Sequence, residues 1–237
     1  MNIDKRWMIL FLLFFARISL GFQFQTMGSV SSQVIDELDF NYTQIGSLIG
    51  LFMVPGLFLA IPAGLTGNFF SDKFIIGLGL ITLSLGGSIA SLSETYEFFF
   101  VGRFICGIGF VFSTIFFAKV TTDWFEGKEL ATAMSILVMS WPFGIAMGQI
   151  GHGWLATNFD WRWAFIIASS YCAISALLIM VLFHSPPHIR SEKIRFAIRL
   201  NGNELFFTLL ASSAWGFFNA GYVVYLSFGP SILIVQG

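Results

Sequence analysis

The chain has 237 residues, of which 56% are apolar and only 11% charged, against about 25% charged in an ordinary soluble domain. With 30 phenylalanines and a mean hydropathy of +0.81, a water-soluble fold would expose apolar surface over most of its area. A net charge of −1 leaves no basic field for nucleic acid, and Cys106 and Cys172 both fall inside apolar runs, where they read as small buried hydrophobes rather than a disulfide or a metal site.

A membrane-crossing helix needs about 20 mainly apolar residues. Seven runs meet that need in chain order: Trp7–Val30, Gln44–Thr66, Phe74–Leu92, Glu97–Val120, Leu130–Ala156, Trp161–Phe183 and Glu204–Phe228. The first follows Lys5 and Arg6, as a signal peptide would, but it is long and has no small-residue cleavage site, so it is read as a retained span. Between the sixth and seventh runs lies a polar connection, His184–Asn203, which opens on Pro186-Pro187 and carries Arg190, Lys193, Arg195 and Arg199. The expected fold class is therefore all-α and polytopic, with the lipid bilayer as surroundings.

Loop charge sets an expected orientation. With the N-terminus in the cytoplasm, the inner segments hold Lys5, Arg6, Lys73, Lys119, Lys128, Arg190, Lys193, Arg195 and Arg199, and the outer segments hold only Arg162. The first outer loop carries Asp36, Glu37 and Asp39, and the second carries Glu94. That asymmetry is the positive-inside pattern. Trp7, Trp124, Trp154, Trp161 and Trp163 fall where interfacial anchors are expected.

Two basic residues remain, Arg17 and Arg103, and both lie within spans. The segments around them align without a gap: Ala16-Arg17-Ile18-Ser19-Leu20-Gly21-Phe22-Gln23-Phe24 over Gly102-Arg103-Phe104-Ile105-Cys106-Gly107-Ile108-Gly109-Phe110. Arginine, glycine and phenylalanine coincide at spacings that share one helical face. The first and fourth spans would correspond in this way in a pair of inverted three-helix repeats. An arginine at mid-bilayer costs at least about 2.5–3.5 kcal/mol, and no Asp or Glu lies in a span core to neutralise either one. Each must face water, backbone carbonyls or an incoming anion. Two readings of them stay open: guanidinium groups in a cavity for an anionic solute, or braces between neighbouring helices.

Several short motifs resemble the major facilitator superfamily. Arg103 to Gly109 looks like that family's R-x-x-x-G-x-G signature. Gly144-Ile145-Ala146-Met147-Gly148-Gln149-Ile150-Gly151-His152-Gly153 is similar to its glycine-rich fifth-span signature, with Gln149 where proline often stands. Trp161-Arg162-Trp163-Ala164-Phe165 matches a frequent opening of the sixth span. The loop Gly64-Leu65-Thr66-Gly67-Asn68-Phe69-Phe70-Ser71-Asp72-Lys73 resembles the family's loop after span two more loosely, because Asn68 replaces its acid. The resemblance implies a six-helix lobe built from two inverted three-helix repeats over residues 1–183, a cytoplasmic linker over 184–203, and residues 204–237 as the seventh helix of an incomplete C-terminal lobe.

Function follows from the same resemblance. It implies a secondary transporter moving a small solute by alternating access, and the two arginines make that solute anionic. Arg17, Arg103 and Gln25 are the candidate binding residues, joined by Asn219 and Tyr222 on one face of the seventh span. Gln25, Asn219 and His152 have a plainer alternative in hydrogen bonds between helices. Gly64, Asn68, Asp72 and Lys73 are expected to gate the cytoplasmic side. Gly107, Gly109, Gly144 and Gly148 are expected to let helices pack closely. No cofactor, metal or catalytic group is expected, and the oligomeric state stays open.

A member of this family has two lobes of six helices, and this chain stops just after the seventh run. It is read as a piece of a longer transporter, with a non-transporting membrane scaffold as the alternative. Other seven-span classes fit less well. A receptor would need an extracellular N-terminus, a retinal protein a lysine in a late span, and an intramembrane aspartyl protease two span-core aspartates. A rhomboid-like serine protease has only Gly28-Ser29-Val30-Ser31 as a weak candidate, with His152 an unsupported partner.

Overall fold

A computed structural model describes residues 3–127, 129–185 and 201–236. Most of the expected linker and its four basic residues, as well as Lys128, lie outside the described residues. Within them the chain is helical, in the order α1 (Ile3–Ser29), α2 (Ser31–Leu38), α3 (Tyr42–Leu51), α4 (Val54–Thr66), α5 (Asp72–Ser91), α6 (Tyr96–Phe125), α7 (Leu130–Asn158), α8 (Arg162–Leu182) and α9 (Gly202–Gln236). The stretches Lys5–Ser29, Tyr42–Thr66, Asp72–Ser91, Tyr96–Phe125, Leu130–Asn158 and Arg162–Leu182 are long and apolar enough to cross a membrane. Each corresponds to one of the first six runs in the sequence. The seventh expected span lies within α9.

The chain divides into two compact units, residues 1–191 and 192–237. In the first, α1 packs on α7 and α8, α5 packs on α6 and α8, and α4 packs on α6. Exchanging span one with four, two with five and three with six maps this set of pairs onto itself, with α5 and α8 as their own counterpart. An internal repeat dictates that pattern, because matching faces must find matching partners. The second unit contains α9, a single 35-residue helix.

Helix ends follow local chemistry. Asn41 caps α3 through its side-chain oxygen, which accepts from Gln44 N at 2.9 Å, while Gln44 Oε1 accepts from Asn41 N at 2.9 Å. That reciprocal pair satisfies two of the N–H groups a helix start leaves unbonded. Ser71 accepts from Phe74 N at 3.4 Å and starts α5, with Asp72 in its first turn, where negative charge meets the positive end of the helix dipole. The turn before α7 uses left-handed backbone at Gly127 (φ 76) and Glu129 (φ 59).

Three expectations are corrected. The acidic first outer loop contains α2, an eight-residue helix that buries Ser31 and Val34. The second span is not one helix: it breaks at Phe52-Met53 into α3 and α4. Pro55 explains the break, because it has no N–H to donate and its ring crowds the carbonyl four residues back, at Leu51. The third correction concerns two of the expected interfacial tryptophans. Trp161 is 2% exposed, with Nε1 donating to Glu37 Oε2 at 2.8 Å, and Trp124 is 6% exposed. Both belong to the packed interior.

Candidate functional site

Arg17 projects from the middle of α1 onto α7. Its Nη1 donates to Leu137 O at 2.7 Å, to Ser140 Oγ at 3.0 Å and to Val138 O at 3.4 Å. Its Nε is buried without a hydrogen-bond partner. One nitrogen therefore carries every bond the described residues give this side chain. The edge formed by Nε and Nη2, which suits a carboxylate in a two-point contact, has none.

Arg103 is different. It is fully buried and bonded through all three nitrogens. Nε donates to Leu48 O at 3.2 Å, Nη1 to Gln23 O at 3.3 Å and to Thr26 Oγ1 at 3.4 Å, and Nη2 to Phe24 O at 3.3 Å. Its guanidinium carbon also stands 4.7 Å from the centroid of the Phe52 ring. In this structure Arg103 ties α6 to α1 and α3, as the bracing alternative requires.

The Phe52 ring under Arg103 belongs to an aromatic cluster. Phe24 contacts Phe52 (centroids 5.3 Å apart) and Trp141 (5.3 Å), and Phe110 contacts the same two rings at 5.3 and 5.1 Å. The four rings close a loop drawn from spans one, two, four and five. Phe24 and Phe110 are the paired phenylalanines of the gapless alignment. The paired glycines behave alike too. A Cβ on Gly107 would come within 2.6 Å of Phe52 O, and one on Gly21 would run into Trp141 O.

The remaining expected residues separate into groups. Gln25 donates from Nε2 to Gln149 Oε1, and His152 Nε2 lies 3.0 Å from Phe22 O, so both side chains link α1 to α7. A Cβ on Gly144 would strike Ile18 O, one on Gly148 would sit 2.9 Å from Gln25 Cβ, and one on Gly109 would strike Gly79 O. At Gly64, by contrast, a Cβ meets nothing within 4 Å.

At the end of the first unit that holds the turn between α4 and α5, Asp72 pairs with Lys119 at 2.8 Å, and Lys119 also reaches Asp123 at 2.9 Å. Asn68 lies in that turn, and Lys73 follows Asp72 half-buried. The opposite end carries its own ion pair, Arg162 to Glu37 at 2.7 Å. On α9, Asn219 Nδ2 donates to Trp215 O at 2.9 Å, and the Tyr222 ring stacks on Phe218 with centroids 6.1 Å apart.

Sequence reasoning missed Ser140, Pro142 and Lys119 as contributors. Pro142 is a readable signal, since a proline inside an apolar span frees a backbone carbonyl. The i,i+4 spacing of Lys119 and Asp123 was equally legible.

Six helices long and apolar enough to cross a membrane, packed with repeat symmetry, define a polytopic α-helical membrane protein. The family model described as Major Facilitator Superfamily matches residues 9–237, and the chain belongs to that family. Among curated relatives it is similar to the Probable galactarate/D-glucarate transporter GarP of Escherichia coli (strain K12), with 23% identity over 204 residues, covering 82% of this chain and 46% of the relative. It is also similar to Multidrug resistance protein 1 of Bacillus subtilis (strain 168), with 25% identity over 161 residues, covering 66% of this chain and 40% of the relative. The fold is similar to the crystal structure of a bacterial homolog to the human lysosomal transporter Spinster, in an inward-facing and occupied conformation. There the TM-score is 0.65 at 21% identity, over 80% of this chain and 47% of that one. The chain thus spans about half the length of the relatives it matches. Family and hydropathy together make it an integral membrane protein.

Proposed function

We propose that this chain is part of a secondary transporter that moves a small anionic solute, of the carboxylated kind, by alternating access. Arg17 is the group that receives the anion. One observation carries the reading: the Nε of Arg17 is buried without a partner in an apolar lobe, while its Nη1 is already anchored. An unpaired charge edge in low dielectric is costly, and a bound carboxylate relieves that cost. The acid cargo in the name of the GarP relative supports this class of solute, and the family membership supports a carrier over an enzyme.

The wider assignment belongs to the same proposal. Residues 1–183 form the N-terminal lobe, 184–203 a cytoplasmic linker, and 204–237 the seventh helix of a second lobe. Alternating access needs that opposing lobe, and Asn219 and Tyr222 of α9 are its contribution to the solute pathway. Gln25 and its partner Gln149 offer amide groups to solute hydroxyls on the first lobe. Asn68, Asp72 and Lys73 gate the cytoplasmic side, where the Asp72–Lys119 pair supplies the charge contact. Arg103 serves as the brace that keeps α1, α3 and α6 in register. The protein resides in a bacterial inner membrane with its N-terminus in the cytoplasm.

Uptake of radiolabelled galactarate into proteoliposomes tests the reading. Saturable uptake by the wild-type protein that is abolished in Arg17→Gln, with thermal unfolding unchanged, is the expected result. A non-saturable flux, or an Arg17→Gln variant that takes up galactarate like wild type, contradicts it.

A further inference from the structure

Arg17 is seated on the facing helix α7 at a proline. In an α-helix each carbonyl is served by the N–H four residues on, and proline withdraws that donor. Pro142, inside α7, leaves the Val138 carbonyl without its N–H, and Arg17 Nη1 lies 3.4 Å from that oxygen. The same nitrogen takes Leu137 O and the hydroxyl of Ser140, a fully buried residue whose own proton goes to Leu137 O at 2.5 Å. Since that proton is spent, the Ser140 oxygen presents a lone pair to the arginine.

At the counterpart site the carbonyl taken is not the one the proline deprives, which is Leu51 O. Ahead of Pro55 the Phe52 N–H turns to Gly50 O, which releases the Leu48 carbonyl, and Arg103 Nε takes it at 3.2 Å. At this site three nitrogens are consumed, so nothing is left for a ligand. At the α7 site one nitrogen is consumed. The internal repeat has produced two arginine seats, one closed and one with an edge to spare.

We infer that Ser140 and Pro142 are positioning residues for Arg17: the opened wall of α7 grips Nη1 and thereby aims the Nε–Nη2 edge at a solute carboxylate. The inference rests on the reading of Arg17 as the anion-binding group. The guanidinium is planar, so fixing Nη1 through several acceptors fixes the direction of the opposite edge. A long side chain held beforehand also loses less rotamer freedom when the ligand arrives. Neither Ser140 nor Pro142 touches the solute in this arrangement.

Titration calorimetry of galactarate into the full chain in detergent, alongside thermal unfolding without ligand, tests the inference. Ser140→Ala and Pro142→Ala are expected to bind roughly 3- to 10-fold more weakly than wild type. Ser140→Thr keeps the hydroxyl and stays within about twofold. Ser140→Cys, similar in size but a weaker acceptor, is expected to weaken binding like the alanine variant and replaces it if that variant does not fold. In an Arg17→Gln background, Ser140→Ala should not lower the unfolding midpoint further, a result that a purely structural role of Ser140 would not produce. Wild-type affinity in both Ser140→Ala and Pro142→Ala, with binding lost in Arg17→Gln, overturns the positioning role and leaves the Arg17 reading standing. Undiminished binding by Arg17→Gln, or no binding of galactarate by the wild-type chain, overturns the Arg17 reading and this inference with it.

Discussion

Arg17 and Arg103 are chemically identical, occupy matched places in an internal repeat, and yet have different capacities. The difference lies in how many of their nitrogens the fold consumes. Arg103 gives every nitrogen to the backbone or hydroxyl groups of α1 and α3 and rests on the Phe52 ring. Removing it leaves Leu48 O without that donor, takes a second donor from Gln23 O and Phe24 O, and opens a void in the packed interior. Arg103→Leu is therefore expected to lower the stability of the detergent-solubilised protein by about 3 kcal/mol or more, read as a fall in unfolding midpoint. Arg17→Gln strips only one anchored nitrogen of its bonds, and its effect should fall on anion binding. If the two variants exchanged these behaviours, the division of labour between brace and binding group would be wrong.

At the scale of elements, proline placement and close helix contact shape the lobe. The break between α3 and α4 and the opened wall of α7 lie beside the two arginine-bearing helices, where Gly21 and Gly107 allow near contact with Trp141 O and Phe52 O. Gly107→Val and Gly144→Val are each expected to destabilise by about 1–3 kcal/mol through overpacking. Gly64→Ala, on an open part of α4, should be neutral or gain up to about 1 kcal/mol in helix propensity. Equal unfolding midpoints for Gly107→Val and Gly64→Ala would refute this contrast.

How much of this was visible in the sequence varies by feature. The first six spans and their approximate limits were legible, because hydropathy over some twenty residues integrates a strong signal. The matched arginines, glycines and phenylalanines of spans one and four also foreshadowed the symmetric packing and the four-ring cluster. The short helix α2 was not legible, since eight mixed polar and apolar residues read like a loop. Nor was the count of occupied arginine nitrogens. It depends on backbone carbonyls at Leu137, Val138, Leu48 and Phe24, and a carbonyl has no letter of its own. Trp161 was misread for the same kind of reason: its partner Glu37 is far away in sequence, so its burial could not be seen.

For the whole molecule, membership of the Major Facilitator Superfamily fixes the fold, and the chain spans about half the length of the relatives it matches. Orientation can be checked directly. Cys106 and Cys172 are buried, so engineered cysteines can be labelled against a low background. An Asp36→Cys variant should react with a membrane-impermeant maleimide in intact cells, and a Lys5→Cys variant should react only after lysis. The reverse pattern would invert the proposed topology.

The central claim, that the free edge of Arg17 receives a solute carboxylate, is tested most directly by a solid-state NMR distance. Galactarate carrying 13C carboxylates would be bound to protein with 15N-labelled arginine in a lipid bilayer. A charge-assisted contact of about 2.8 Å places the carboxylate carbon within about 4 Å of Arg17 Nε. A dipolar coupling of that size, present in wild type, lost in Arg17→Gln and retained in Arg103→Lys, is the predicted result. Coupling to Arg103, or strong binding of galactarate with no coupling to Arg17, would contradict the account.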